Sequence, residues 1–209
     1  MMRILIADDH AVVRAGLKQI IADAFDAELD EATNGYEVLD KTWKDGYDVI
    51  VLDIAMPGKS GLDVLKELRA QKPRLPVLIL SMYPEEQYAV RVLKAGASGY
   101  LTKESAPAEL VTAIRKVSQG GKYVSGSLAE RMAFGLEVGA EKAIHEQLSD
   151  REYQVFCMIA SGKTLKDISE ELALSVKTIS TYRSRILEKM GMKSNAELTH
   201  YAIKNQLVD

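Results

Sequence analysis

The chain has 209 residues, enough for two small domains, and its 47% hydrophobic content supports packed cores and excludes a disordered chain. A formal net charge of −3 excludes a uniformly basic nucleic-acid binder, and the single cysteine, Cys157, excludes an internal disulfide framework and points to a reducing, cytoplasmic compartment. The apolar stretches are strand-length and end in charges or turns, so no membrane span is expected, and the first residues enter a strand without a signal-peptide layout.

From residue 2 to residue 120 strand and helix patterns alternate. Apolar runs predict strands at 3–7, 28–33, 49–52, 77–80 and 99–102, and helical periodicity lies at 11–24, 35–44, 60–71, 85–95 and 107–119. The runs at 3–7, 49–52 and 77–80 are almost continuously apolar, as strands buried on both faces require. Five such units predict an α/β, flavodoxin-like fold: a five-stranded parallel doubly wound sheet with right-handed crossovers. Gly120 and Gly121 close the last helix. The pattern then weakens: 128–134 reads as a short helix, and Gly135, Gly139 and the charged stretch around them read as linker.

From Leu148 onward the chain reads as a small all-α domain of four helices. Ser149 followed three residues later by Glu152 is a capping box, and the helix it opens runs to Ser161, where Gly162 stops it. A second helix is predicted at 165–172, a third at 176–190 behind the cap Ser175 and ended by Gly191, and a fourth at 195–205. From Lys177 to Lys193 the bases Lys177, Arg183, Arg185, Lys189 and Lys193 face one acid, Glu188. Two short helices joined by a tight turn, the second one basic, form a helix-turn-helix pattern. The predicted division is therefore 1–121, a linker 122–147, and 148–209.

In open α/β sheets chemistry collects beyond the C-terminal strand ends. Four of the five predicted strands deliver a polar group there: Asp8 and Asp9, Asp53, Ser81 and Lys103. A carboxylate such as Asp53 can accept a phosphoryl group as an acyl phosphate. Asp8 and Asp9 crowded against Asp53 require a cation, and Mg²⁺ suits such an oxygen set. Ser81 and Lys103 can neutralise phosphoryl oxygens. His10 reads as a cap or site-edge residue, and His145 and His200 lack partners at metal-ligand spacing. Haloacid-dehalogenase-like phosphatases need a second acid where Ala55 stands, and a P-loop ending in Gly162-Lys163-Thr164 needs glycine at Cys157.

On a helical wheel Val176, Ile179, Ile186, Leu187 and Met190 form an apolar stripe with Tyr182 at its edge, opposite Lys177, Ser180, Thr181, Ser184, Arg185 and Glu188. That polar side can enter a major groove.

With Asp8-Asp9, Asp53 ahead of Met56-Pro57-Gly58, Ser81, Tyr100 and Lys103 in place, residues 1–120 resemble the receiver domain of two-component response regulators. Residues 148–209 resemble the LuxR/NarL-type DNA-binding domain, through Leu148 to Glu152, Ile159 to Gly162, Lys166 to Ile168, Leu174 to Ser180 and Tyr182 to Gly191. The order resembles that of the NarL/FixJ-type response regulators. The resemblance implies that a sensor histidine kinase phosphorylates Asp53, that Asp8, Asp9 and Asp53 hold Mg²⁺, and that Ser81 and Tyr100 act as a switch pair, Tyr100 rotating inward. It implies base or phosphate contacts from Lys177, Ser180, Thr181 and Ser184, and phosphate contacts from Lys163, Thr178, Arg185 and Lys189. The partners implied are double-stranded promoter DNA and, when phosphorylated, a second copy of the chain; RNA polymerase is a further candidate. The 195–205 helix, with Leu198, Tyr201 and Ala202, resembles the family's dimerisation helix. The protein is expected to be a regulator, not a turnover enzyme; the alternative is a DNA-binding regulator whose receiver works without phosphorylation. Glu104 departs from the family pattern, since many receivers carry proline directly after the lysine.

Overall fold

The computed structural model describes residues 1–130 and 143–208. It consists of two compact units, Met1–Ala129 and Glu130–Asp209. The predicted short helix begins within the described part, where residues 126–130 are helical, and its remainder lies outside the described residues.

The first unit alternates β1 (Met2–Ala7), α1 (Ala11–Ala24), β2 (Ala27–Ala32), α2 (Gly35–Lys44), β3 (Val49–Asp53), α3 (Gly61–Gln71), β4 (Val77–Ser81), α4 (Glu85–Lys94), β5 (Gly99–Thr102) and α5 (Ala106–Ser118). The strands pair in parallel in the order β2-β1-β3-β4-β5, so the order reverses between β1 and β3. Ile4, Ile6, Val49, Val51, Leu78 and Leu80 pack with Leu17 and Ile21 of α1 and Leu110, Ile114 and Val117 of α5. The intervening Leu5, Ile50, Leu52 and Ile79 are equally buried, as period-2 alternation between two covered faces demands. Helix starts follow the local chemistry: the side chains of Asn34 and Ser60 accept the backbone N–H groups of Glu37 and Asp63.

The strand ends differ slightly from expectation. Asp53 and Ser81 are the last residues of β3 and β4 and pair with Leu80 and Thr102 across the sheet. Residue type suggests that a polar side chain ends a buried strand. The backbone ladder continues as long as the neighbouring strand supplies partners, whatever the side chain.

In the second unit a 3₁₀ turn, Ile144–Gln147, precedes α6 (Asp150–Ala160), α7 (Leu165–Glu171), α8 (Val176–Met190) and α9 (Asn195–Lys204). The Ser149–Glu152 capping box is formed, and Thr164 with Asp167 makes a second one on α7. Gly191, at φ 66°, takes the left-handed conformation that ends α8. Phe156, Ile168, Ile179, Ile186, Leu198 and Ala202 fill the core, with Cys157 buried beside them. Leu198 and Ala202 are therefore core, while Tyr201 is half-buried with its hydroxyl 3.0 Å from Nδ1 of His145. Val176 corrects the wheel: it is 48% exposed, not part of the buried stripe. Periodicity records residue type, whereas burial needs a neighbour; Ile179, in the same turn, has one and is fully buried. No helix among the described residues is long and apolar enough to cross a membrane.

Candidate functional site

β1 and β3, adjacent at the point where strand order reverses, bring Asp8 and Asp53 to one edge. Both are fully buried, whereas the Asp9 side chain is 30% exposed. The ammonium of Lys103, just past β5, bridges them, 2.7 Å from Oδ2 of Asp8 and 2.8 Å from Oδ2 of Asp53. The other oxygen of Asp53 accepts the N–H of Ala55 at 3.0 Å. His10, the N-cap of α1, donates its backbone N–H to Oδ1 of Asp8 at 2.8 Å and sets ring Nδ1 2.9 Å from Oδ1 of Asp9. One ligand atom each from Asp8, Asp9, His10 and Asp53 lies within 4.8 Å of all the others.

Burial pushes the Asp53 carboxyl above the ordinary aspartate range; Lys103 pulls it back and Asp8 pushes it further up, and the net shift is upward. Burial acts to lower Lys103, but Asp53 and Asp8 outweigh it and hold the ammonium above its ordinary value. The causes differ: burial dominates at Asp53, whereas at Lys103 the two carboxylates outweigh burial. Oδ2 of Asp8 is buried and, although the ammonium is 2.7 Å away, receives no hydrogen bond of good geometry. Counting Asp9, three carboxylates face one ammonium, which leaves two negative charges. An oxygen-rich cluster with that surplus and a spare buried acceptor fits a divalent cation.

The backbone of Tyr83 links Ser81 and Tyr100. Its N–H goes to Oγ of Ser81 at 3.1 Å, and its carbonyl accepts the Tyr100 hydroxyl at 2.7 Å. The Tyr100 ring is completely buried, and that burial raises the phenol well above its ordinary value. Lys103 donates its backbone N–H to the Ser81 carbonyl at 2.7 Å, and the Lys103–Glu104 peptide is trans like every other described peptide.

Sequence reasoning missed two contributors. Gly61 packs directly on the Asp53 carbonyl, with its own N–H donated to the carbonyl of Ile54. Arg14 of α1 reaches back to the carbonyl of Asp8 at 2.8 Å. No sequence signal marked Arg14, since the first turns of α1 are largely exposed and a base there reads as solvated.

On α8, Lys177, Ser180, Thr181, Ser184 and Arg185 are exposed, and Thr178 is half-buried with its hydroxyl 2.8 Å from Ser175. The hydroxyls of Thr181 and Ser184 donate to the carbonyls of Lys177 and Ser180, one turn back, which leaves their oxygens outward as acceptors. Lys177 and Arg185 make no ion pair among the described residues. Lys189 and Lys163, expected as phosphate partners, are engaged within the unit: Lys189 lies 2.6 Å from the buried carboxylate of Glu152, and Lys163 pairs with Glu171. Glu152 is buried and would be left as an uncompensated charge without Lys189, whereas the Lys163–Glu171 pair is half-exposed.

A sheet with a charged site at its switch point, in the same chain as a helix-turn-helix unit, defines a regulator that joins an input to nucleic-acid readout. Residues 4–115 match the family model of the response regulator receiver domain, and residues 146–202 that of the luxR family of bacterial regulatory proteins. The chain is 35% identical to the response regulator UvrY of Escherichia coli over 209 residues, covering 99% of this chain and 96% of UvrY. It is 38% identical to the oxygen regulatory protein NreC of Staphylococcus epidermidis over 217 residues, covering 100% of both. RcsB of Salmonella enterica serovar Typhimurium, solved bound to the promoter rprA with the phosphomimetic BeF3−, shares the fold at TM-score 0.65 and 24% identity, covering 96% of this chain and 97% of RcsB. The chain belongs to the NarL/FixJ-type response regulators, in which phosphorylation of a receiver domain controls a LuxR-type DNA-binding domain.

Proposed function

We propose that Asp53 is the phosphoacceptor and that a sensor histidine kinase is its donor. The observation that carries this reading is Lys103, whose ammonium lies 2.8 Å from Asp53 and 2.7 Å from Asp8. A carboxylate oxygen of Asp53 attacks the phosphorus, the P–N bond to the donor imidazole breaks, and the imidazole leaves with the bonding pair. Lys103 and the Ser81 hydroxyl then face the phosphoryl oxygens. Asp8, Asp9 and Asp53 would hold Mg²⁺, which when bound supplies charge neutralisation for those oxygens. The acyl phosphate adds about −1.5 to −2 charges at one point. That charge draws Ser81 and Lys103 inward, and the backbone of Tyr83, bonded to both Ser81 and Tyr100, carries the shift to the face made by α4, β5 and α5.

The output is DNA binding through α8. Lys177, Ser180, Thr181 and Ser184 meet bases or phosphates, and Thr178 and Arg185 meet phosphates. Lys189 and Lys163 join them only by leaving Glu152 and Glu171. Binding of RcsB to a promoter supports the same use of the domain here. We extend the proposal to a cytoplasmic protein that is a regulator and not a turnover enzyme. It binds paired half-sites in promoter DNA as a phosphorylated homodimer, and RNA polymerase is its further partner. The test is incubation with acetyl phosphate and Mg²⁺. Intact mass should show one added phosphoryl group on the wild type and none on Asp53→Asn, with tighter promoter binding only for the former. Phosphoryl uptake by Asp53→Asn would move the acceptor elsewhere.

A further inference from the structure

Asp8 and Asp9 lie at the point where β1 stops being held by the sheet. The Asp8 N–H still pairs with the carbonyl of Ala32, the last residue of β2. Beyond it β2 turns away, and the N–H of Thr33 goes to the side chain of Glu37 at 2.8 Å. The Asp8 carbonyl receives Nη1 of Arg14 at 2.8 Å. The same guanidinium gives Nε to Oε2 of Glu31, near the end of β2, at 2.7 Å, and Lys18 binds the other oxygen of Glu31 at 2.7 Å. The Arg14 side chain is 11% exposed, so this is a packed arrangement and not a loose surface pair. The two cations hold Glu31 below the ordinary glutamate range, Lys18 contributing most.

We propose that Arg14 is a positioning residue for the divalent cation of the receiver site. It fixes the Asp8–Asp9 peptide, and through it both acids, with Glu31 as its anchor on β2. The inference rests on the reading that Asp8, Asp9 and Asp53 hold a divalent ion. Arg14 touches none of the carboxylate oxygens assigned to that ion, so its effect runs through the backbone of residue 8. A planar fork bonded at two points sets the distance between the Asp8 carbonyl and the Glu31 carboxylate; a lysine supplies the charge but not the fork. Glu31 also offsets part of the positive charge of Arg14 and Lys18, which opposes a cation nearby. Groups that orient metal ligands without touching the metal are typically worth about 10- to 100-fold in affinity.

The experiment is calorimetric titration of the full chain with Mn²⁺, in the absence of any phosphodonor, for the wild type, Arg14→Met, Arg14→Lys and Glu31→Gln. Thermal unfolding without metal is measured alongside. Arg14→Met and Arg14→Lys should each bind Mn²⁺ about tenfold more weakly, and Glu31→Gln should weaken it less. If Arg14→Met fails to fold, Arg14→Lys and Glu31→Gln decide. Variants that unfold earlier yet bind Mn²⁺ as the wild type does would reduce Arg14 to a structural brace and overturn the inference. Failure of the wild type itself to bind Mn²⁺ would instead remove the underlying metal reading.

Discussion

Substituting Gly61 by alanine tests whether the phosphoacceptor loop has room to move. A Cβ built on Gly61 lies 2.0 Å from the carbonyl oxygen of Asp53 and 2.9 Å from both the carbonyl carbon of Asp53 and the Cα of Ile54. All three are backbone atoms, so no side chain can swing aside. Restoring even a tight contact of about 3 Å requires the start of α3 and the end of β3 to part by about 1 Å. Overpacking of this kind costs about 1–3 kcal/mol, or roughly 4–12 °C in unfolding temperature for a unit of this size. A displacement of about 1 Å at a reacting group can cost on the order of 10²-fold in rate. The expected result is therefore a lower unfolding temperature together with phosphorylation by acetyl phosphate slowed on the order of 10²-fold, both followed on the full chain. Gly16, inside α1, is the control, since a Cβ added there would meet nothing within 4 Å. Gly16→Ala should raise stability by about 0.5–1 kcal/mol and leave phosphorylation unchanged. Wild-type rate and stability in Gly61→Ala would refute the claim that this backbone contact sets the position of Asp53.

Three further outcomes concern the second unit. Burial pushes Glu152 up, but Lys189 and the Ser149 cap outweigh it and hold the carboxyl below the ordinary glutamate range. Its stabilisation is thus present above the unfolded-state pKa of about 4.3 and is lost as pH falls through the lower folded value. Glu152→Gln should cost about 1 kcal/mol at neutral pH, since Lys189 is partly solvated, and unfolding curves of variant and wild type should converge in acid; a difference unchanged down to pH 2–3, roughly, would show that the ion pair is not its source. Lys177→Ala should weaken DNA binding by a similar factor on all sequences and reduce the salt slope of log K by about 0.9, whereas a change confined to one base position would make Lys177 a base reader. Gly191→Ala places a Cβ at φ 66° and should destabilise the domain by about 1 kcal/mol, measured by thermal unfolding; an unchanged midpoint would mean the helix end relaxes out of the left-handed conformation.

Much of this molecule was legible in its residues, because the signals involved are local. Apolar runs of strand length between amphipathic stretches are enough to lay out the five β–α units, and a polar residue at the end of a buried run must face the mouth of the sheet, as Asp8, Asp53, Ser81 and Lys103 do. The caps at Ser149, Ser175 and Gly191 depend on three or four neighbouring residues and needed no fold to be read. What the tertiary structure alone decided is which groups meet and which charges are already taken. Lys103 could have served either acid and bridges both; Arg14, silent in the motifs, holds the Asp8 carbonyl; Lys189 turns inward to Glu152, 37 residues away. Val176, identical in type to its buried neighbours on the wheel, stays in solvent. Periodicity assigns a residue to a face, but the partner across that face comes from a distant part of the chain. Burial and charge pairing depend on that partner, so they became readable only once the elements were packed together.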